Sequence, residues 1–341
     1  LLPPEQVWDI EVEGTHNFIG NDIVAHNTAF LVHNSGNVGI GNTSPASRLD
    51  ITNSATSSAI ITLRDPLGNV SLELRAGTST LANTFVGIDA GKVNITGDVN
   101  TGIGAYSLAA NTSGVANTAI GRFANTANTT GSYNAVVGTN ILGTNITGSY
   151  NTASGHQALY HNKSATSTSA FGYLAGQGTA SYNNQGGVYL GYQSGYSAST
   201  GSDYNTLVGY QAGYGVTTGS NNIWLGSATS STAIANLTTG SQNILIGNNI
   251  SLPSATASGQ LNIGNIIFGT GITGTGSTIT GNVGIGTTTP YSRLSVWGAD
   301  TGANIMANFV NSASTSVMSI LNNGNVGIGT ASPNYPLYIS S

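Results

Sequence analysis

The chain has 341 residues, a formal charge of −5 and only 6% charged side chains, where a typical globular protein carries roughly a quarter. The lack of any basic run excludes a phosphate-binding nucleic-acid surface, and the absence of Cys excludes disulfides, thiolate metal sites and thiol catalysis. Gly, at 48 residues, is about twice its usual share; no stretch is apolar and long enough to cross a bilayer, and no signal peptide is visible.

The chain starts at Leu1 rather than Met, as a fragment or a processed piece would. Residues 7–28 read VWDIEVEGTHNFIGNDIVAHNT. This segment resembles the C-terminal motifs of inteins and related self-processing Hint domains. Their usual form is a short strand, His-Asn-Phe, then a hydrophobic strand ending in His-Asn before Cys, Ser or Thr. Asp22 stands where Gly is usual, and Ala25 where a bulkier residue is common. The resemblance implies four autocatalytic residues. The side-chain amide of Asn27 would attack its own backbone carbonyl, form a succinimide and cut the bond to Thr28. His26 would polarise that carbonyl or protonate the leaving amine, and His16 would assist as general acid or base. Thr28 would supply the hydroxyl that takes over the acyl chain in splicing. Residues 1–27 alone are too few to build the Hint fold. The activity is therefore conditional on a separately supplied N-terminal intein half. His33-Asn34-Ser35 repeats the tripeptide without the strand before it and reads as coincidence.

Residues 28–80 form a second segment. It opens with GNVGIG at 36–41, a motif that recurs at 281–286 and 324–329. Each copy is followed by a Pro and, four residues later, a Leu: Pro45 and Leu49, Pro290 and Leu294, Pro333 and Leu337. Alternation after each Leu predicts a short half-buried strand, with Pro in the turn before it. No Gly-Lys-Ser/Thr follows, so the motif is not a phosphate loop. The pattern looks like segments of phage tail fibres and large bacterial surface proteins. Arg64, Asp65, Glu73 and Arg75 lie in ITLRD and SLELR, alternating with Ile and Leu, which reads as a solvated strand face.

Residues 81–264 repeat a unit Asn-Thr-x-Ile/Val-Gly. It runs as NTFVG at 83–87, NTGIG at 100–104, NTAIG at 117–121, NAVVG at 134–138, NTASG at 151–155 and TSAFG at 168–172. Steps between its glycines, from Gly87 to Gly264, are 17, 17, 17, 17, 17, 19, 18, 17, 21 and 17 residues. A coil of that length holds about two short strands and two turns. It cannot bury its own apolar face, but a stack of coils can. The residue before each Gly is apolar in ten of eleven copies and reads as an inward plug; three residues after the Gly the side chain is usually small. Thr-Gly-Ser-x-Asn turns follow, at 130–134 and 147–151, where Gly would supply positive φ. Like residues should stack from coil to coil, as Tyr133 on Tyr150 and Tyr192 on Tyr210. The fold class expected is all-β: a parallel β-solenoid (β-roll or β-helix) of ~17-residue coils, with short β-rich modules at both ends. These residues resemble the head repeats of trimeric autotransporter adhesins, whose heads are left-handed parallel β-rolls three chains wide. The resemblance implies a homotrimer and an adhesive role; a single-chain β-helix is the other architecture.

Residues 265–341 complete the chain with two GNVGIG modules. His156 and His161 read as exposed coil residues rather than metal ligands, with no third ligand near. From Thr101 to Gly264 the repeats hold one carboxylate, Asp203, so a carbohydrate-acting β-helix enzyme, which needs clustered carboxylates, is disfavoured. The reading that results is a structural or adhesive extracellular fibre, at the cell surface or on a virion, with no cofactor, metal site or nucleic-acid partner. It is not an enzyme beyond Asn cyclisation. The alternative is a self-processing protein that cleaves after Asn27, with the repeats as cargo.

Overall fold

The computed structural model describes residues 31–33, 36–41, 44–51, 61–64, 66–67, 70–76, 82–164, 166–180, 182–230, 237–272 and 280–340. It is all-β, with no helix among them. The chain divides into two compact units, residues 1–60 and 61–341. In the first, β1 (Leu31–Val32) pairs antiparallel with β2 (Val38–Ile40), and β2 pairs parallel with β3 (Leu49–Ile51).

The second unit is built on a parallel β-solenoid. Eleven three-residue strands, β6 (Thr84–Val86) through β16 (Leu261–Ile263), pair parallel and in register, each with the next coil's. Each coil thus carries one assigned strand rather than two. The remainder is turn, with recurrent left-handed residues five before, two after and four after the coil glycine, as at Ala116, Phe123 and Asn125 around Gly121.

The two ends of this parallel stack are closed by antiparallel strands. At the start these are β4 (Ile61–Arg64) and β5 (Val70–Ala76); at the end, β17 (Ile267–Thr270) and β18 (Asn282–Ile285). Such pairing covers the open backbone edges of the solenoid. Glu73, read from sequence as part of a solvated face, is instead buried. Pairing of Leu74 with Val86 sets its carboxylate beside the first coil, where Oε2 accepts the Asp89 N–H at 2.9 Å.

The inward residue of each coil is the middle one of the strand: Phe85, Gly102, Ala119, Val136, Ala153 and Ala170, then Tyr189, Leu207, Trp224 and Leu245. The residue before the glycine, expected inside, points outward; Ile103, Val137 and Leu225 are 40%, 48% and 40% exposed. In a strand, successive side chains take opposite faces. The small residue three after the glycine is also inside, with Ala90, Ala124 and Ala158 fully buried. A 17-residue coil closes around small residues at many of these positions, with Phe85, Leu108, Val136, Ile141, Leu142 and Leu159 as its larger apolar contents. Aromatic residues are buried farther along: Tyr182 and Tyr189 in the 19-residue coil, and Trp224 before Gly226.

Amides fill the rest of the interior. Asn83, Asn100, Asn117, Asn134 and Asn151 are buried directly before their strands, and each Oδ1 accepts the backbone N–H one coil on, at 2.7–3.1 Å. A second ladder, Asn94, Asn111, Asn128 and Asn145, links Nδ2 to Oδ1 at 2.7–3.0 Å. Both ladders donate to the same turn carbonyls: Asn117 and Asn128 to Gly131, Asn134 and Asn145 to Gly148. This explains the turn glycines. Gly131 does not have positive φ; Tyr133, two residues later, does, at 59°. A Cβ at Gly131 would overlap the Gly148 carbonyl oxygen and the Asn128 carboxamide. The glycine serves close approach, not left-handed geometry.

Candidate functional site

The site-bearing surface of the solenoid follows from its strand register. The last strand residue of each coil faces outward, so parallel in-register pairing lines up Val86, Ile103, Ile120 and Val137, and later Phe171 and Leu190, along one sheet face. Thr84, Thr101, Thr118 and Thr152 form the neighbouring row on that face. Neither row contains a charged side chain.

The residue after the glycine forms a third row. His156, Tyr173, Tyr192 and Tyr210 stack in succession, with ring centroids 5.5, 5.3 and 5.1 Å apart and planes within 12°. Tyr192 on Tyr210 and Tyr133 on Tyr150, the latter at 5.0 Å, are the ladders expected from sequence. Tyr196 on Tyr214, at 4.8 Å, was not anticipated, although its offset of 18 residues equals that of Tyr192 and Tyr210. Burial raises the Tyr214 hydroxyl pKa, and the nearby Tyr196 and Tyr192 raise it further. Arg122 lies over the Phe123 ring at 4.2 Å.

The three GNVGIG copies share one local geometry. Strand pairs Val38–Ile40 with Leu49–Ile51, Asn282–Ile285 with β19 (Leu294–Val296), and β22 (Val326–Ile328) with β23 (Leu337–Ile339) are parallel, and the motif Val pairs with the Leu in each. The motif Asn closes the turn by donating to a proline carbonyl: Asn37 to Pro45, Asn282 to Pro290 and Asn325 to Pro333, at 3.0, 3.0 and 3.1 Å. The central Gly and the Pro are buried in every copy. The Leu after the Pro is 57%, 61% and 62% exposed. An apolar face is therefore open in each module. In the last sheet, where β20 (Ile305–Val310) pairs with β21 (Ser316–Leu321), Phe309 and Val310 are open as well.

The intein-type residues His16, His26, Asn27 and Thr28 lie outside the described residues. His33 accepts the Gly36 N–H in the turn between β1 and β2. His156 stacks on Tyr173, while His161 sits edge-on to Tyr160 at 4.8 Å, its pKa lowered by burial. Among the described residues no three His, Cys, Asp or Glu side chains come together as a metal site would require. Among the same residues no helix is long and apolar enough to cross a membrane. The chemistry on offer is an uncharged face of Thr, Val and Ile beside rows of phenols. No protein family, curated protein or solved structure matches the chain.

Proposed function

We propose that the chain is a structural or adhesive segment of an extracellular fibre, carried at a cell surface or on a virion, in which three copies pack through the outward apolar row. The observation that carries this reading is the reversal of the expected plug: residues such as Ile103, Ile120 and Val137 face out, coil after coil. A row of eleven coils spaced about 4.8 Å apart runs on the order of 50 Å. Exposed apolar surface of that continuity marks an association site. The absence of charge along it removes the desolvation cost that ionised groups would impose on association. The open Leu of each GNVGIG module supports the same reading at sites remote in sequence.

Sedimentation equilibrium of the full chain tests it. The expected mass is three times that of one chain, falling to one in Val137→Asp while the circular dichroism stays unchanged. A wild-type chain that sediments as a monomer at micromolar concentration refutes the association.

A second reading, self-processing, is favoured by the order of His16, His26, Asn27 and Thr28 in the sequence. Incubation with an N-terminal intein half should then release residues 1–27, and Asn27→Ala should abolish the release. A chain left intact under these conditions removes this reading without touching the first.

A further inference from the structure

The chain has fifteen tyrosines and no cysteine, so disulfide staples are unavailable to it. Several of those tyrosines are paired face to face across successive coils: Tyr173 with Tyr192, Tyr192 with Tyr210 and Tyr133 with Tyr150, all exposed, and Tyr196 with Tyr214, both half-buried. Their centroids are 4.8–5.3 Å apart and their planes within 12° of parallel. The backbone imposes this arrangement. Gln193 N–H donates to Tyr173 O, and Gln211 N–H to Tyr192 O, both at 2.8 Å. The side-chain amides of Gln211 and Gln193 pair at 2.8 Å alongside. The rings therefore stay in register whether or not they attract one another.

We propose that these stacked pairs are sites of oxidative dityrosine cross-linking between neighbouring coils, driven by a one-electron oxidant of the haem-peroxidase and hydrogen peroxide class. Each phenol of a pair gives up one electron and one proton, leaving a phenoxyl radical with spin density on the ring carbons ortho to oxygen. A carbon–carbon bond forms between one ortho carbon of each ring. The hydrogen on each coupled carbon then moves to the phenol oxygen, restoring both aromatic rings. The two electrons and two protons reduce one hydrogen peroxide to two waters, so the chain loses two hydrogens per bond. Stacking brings the π-faces that must overlap into neighbouring positions before oxidation begins. A bond from Tyr192 to Tyr210 ties one coil covalently to the next across an 18-residue separation. Such a tie restricts the unfolded chain in the manner of a disulfide of similar span. The pairs lie within one chain, so the proposal does not depend on association between chains.

The test is peroxidase and hydrogen peroxide on the folded full chain, followed by proteolysis and mass spectrometry. The expected products are dityrosine peptides joining Tyr192 to Tyr173 or Tyr210, Tyr196 to Tyr214 and Tyr133 to Tyr150, with blue dityrosine fluorescence. In Tyr192→Phe the Tyr192 products disappear while Tyr196–Tyr214 and Tyr133–Tyr150 remain. Tyr291 and Tyr335 are internal controls, being 81% and 66% exposed without a stacked tyrosine among the described residues. The proposal is overturned if these two cross-link as often as the stacked pairs, if only chain-to-chain bonds form, or if no dityrosine appears.

Discussion

Replacing Asn117 with Ala tests whether the buried amide ladder holds the coils together. Its Oδ1 accepts both the backbone N–H and the Nδ2 of Asn134, each at 3.0 Å. Its Nδ2 donates to Asn100 Oδ1 at 3.1 Å and to Gly131 O at 2.9 Å. After truncation, three of the four partners keep another bond: Asn100 Oδ1 still takes the residue-117 N–H, Gly131 O still takes Asn128, and Asn134 Nδ2 still reaches Gly148 O. The Asn134 N–H keeps none of its side-chain partner. Leaving a buried donor unmet costs about 1–3 kcal/mol, and each of the three ordinary bonds lost about 0.5–1.5, so the expected destabilisation is about 2.5–7.5 kcal/mol. Thr118→Ala, on the outward row next door, should stay within about 0.5 kcal/mol. Because a stack of coils unfolds by neighbour-to-neighbour steps, a single global transition is a poor readout. Native-state hydrogen exchange resolves the effect locally: Asn134 N–H protection should fall by about sixtyfold or more, since each factor of ten is about 1.4 kcal/mol. If Asn117→Ala leaves that protection where Thr118→Ala leaves it, the ladder is not what binds the coils.

Asn125 is buried with neither carboxamide atom paired, at the position filled by Leu108, Leu142 and Leu159 in other coils. All four have a φ of 47–54°, which Asn adopts at lower cost than Leu by about 1 kcal/mol; against the relief of about 1–3 kcal/mol for two unmet buried groups, Asn125→Leu should leave local hydrogen-exchange protection equal or raised by up to about 2 kcal/mol, and a clear loss of protection would contradict this. Gly131→Ala should destabilise by about 3 kcal/mol or more through backbone overlap, well beyond the ~1 kcal/mol of a helix or strand propensity change, and a neutral result in urea titration would remove the close-approach account. Tyr182 and Tyr189 are fully buried, and burial first of all raises both hydroxyl pKa values above the ordinary value of 10.0. The unfolded chain releases these protons near that value and the folded chain holds them. Stability is therefore full below about pH 10 and falls above it, by up to about 1.4 kcal/mol per pH unit per tyrosine. Tyr189→Phe should flatten the decline seen by circular dichroism, and an unchanged slope would refute the assignment.

The spacing of the coil glycines was enough to read the solenoid, its parallel stacking and two of its tyrosine ladders. The direction of each coil's side chains was not legible from hydrophobicity. In the unit Asn117-Thr118-Ala119-Ile120-Gly121 the most apolar residue is Ile120, yet the inward one is Ala119. A one-residue change of register exchanges the faces of a strand completely. Asn recurs every 17 residues in both ladders, but the spacing does not say that its side chain turns inward; that emerges only once turn carbonyls such as Gly131 O are fixed in space. The role of Gly131 was similarly misread, because sequence reports that a side chain is missing but not whether φ or crowding requires it.

The inversion has a consequence for how such a chain is stabilised. In most domains, apolar burial supplies the dominant favourable term and hydrogen bonds specify the arrangement. Here the early coils bury Asn, Gly and Ala alongside a thin apolar line of Phe85, Leu108, Val136, Ile141, Leu142 and Leu159, and turn Ile103, Ile120 and Val137 outward. Their cohesion within one chain combines that apolar line with bonds between coils, backbone to backbone and amide to amide, whose net worth per bond is modest. Burial of the outward Ile and Val becomes available only when another surface covers them, adding on the order of 1.5–3 kcal/mol per side chain fully removed from water. Association of copies would therefore add to the apolar burial that the coil interior already supplies. If the isolated chain proves fully stable with Ile103, Ile120 and Val137 all changed to Thr and its sedimentation unchanged, the row contributes nothing, and the coil interior alone suffices.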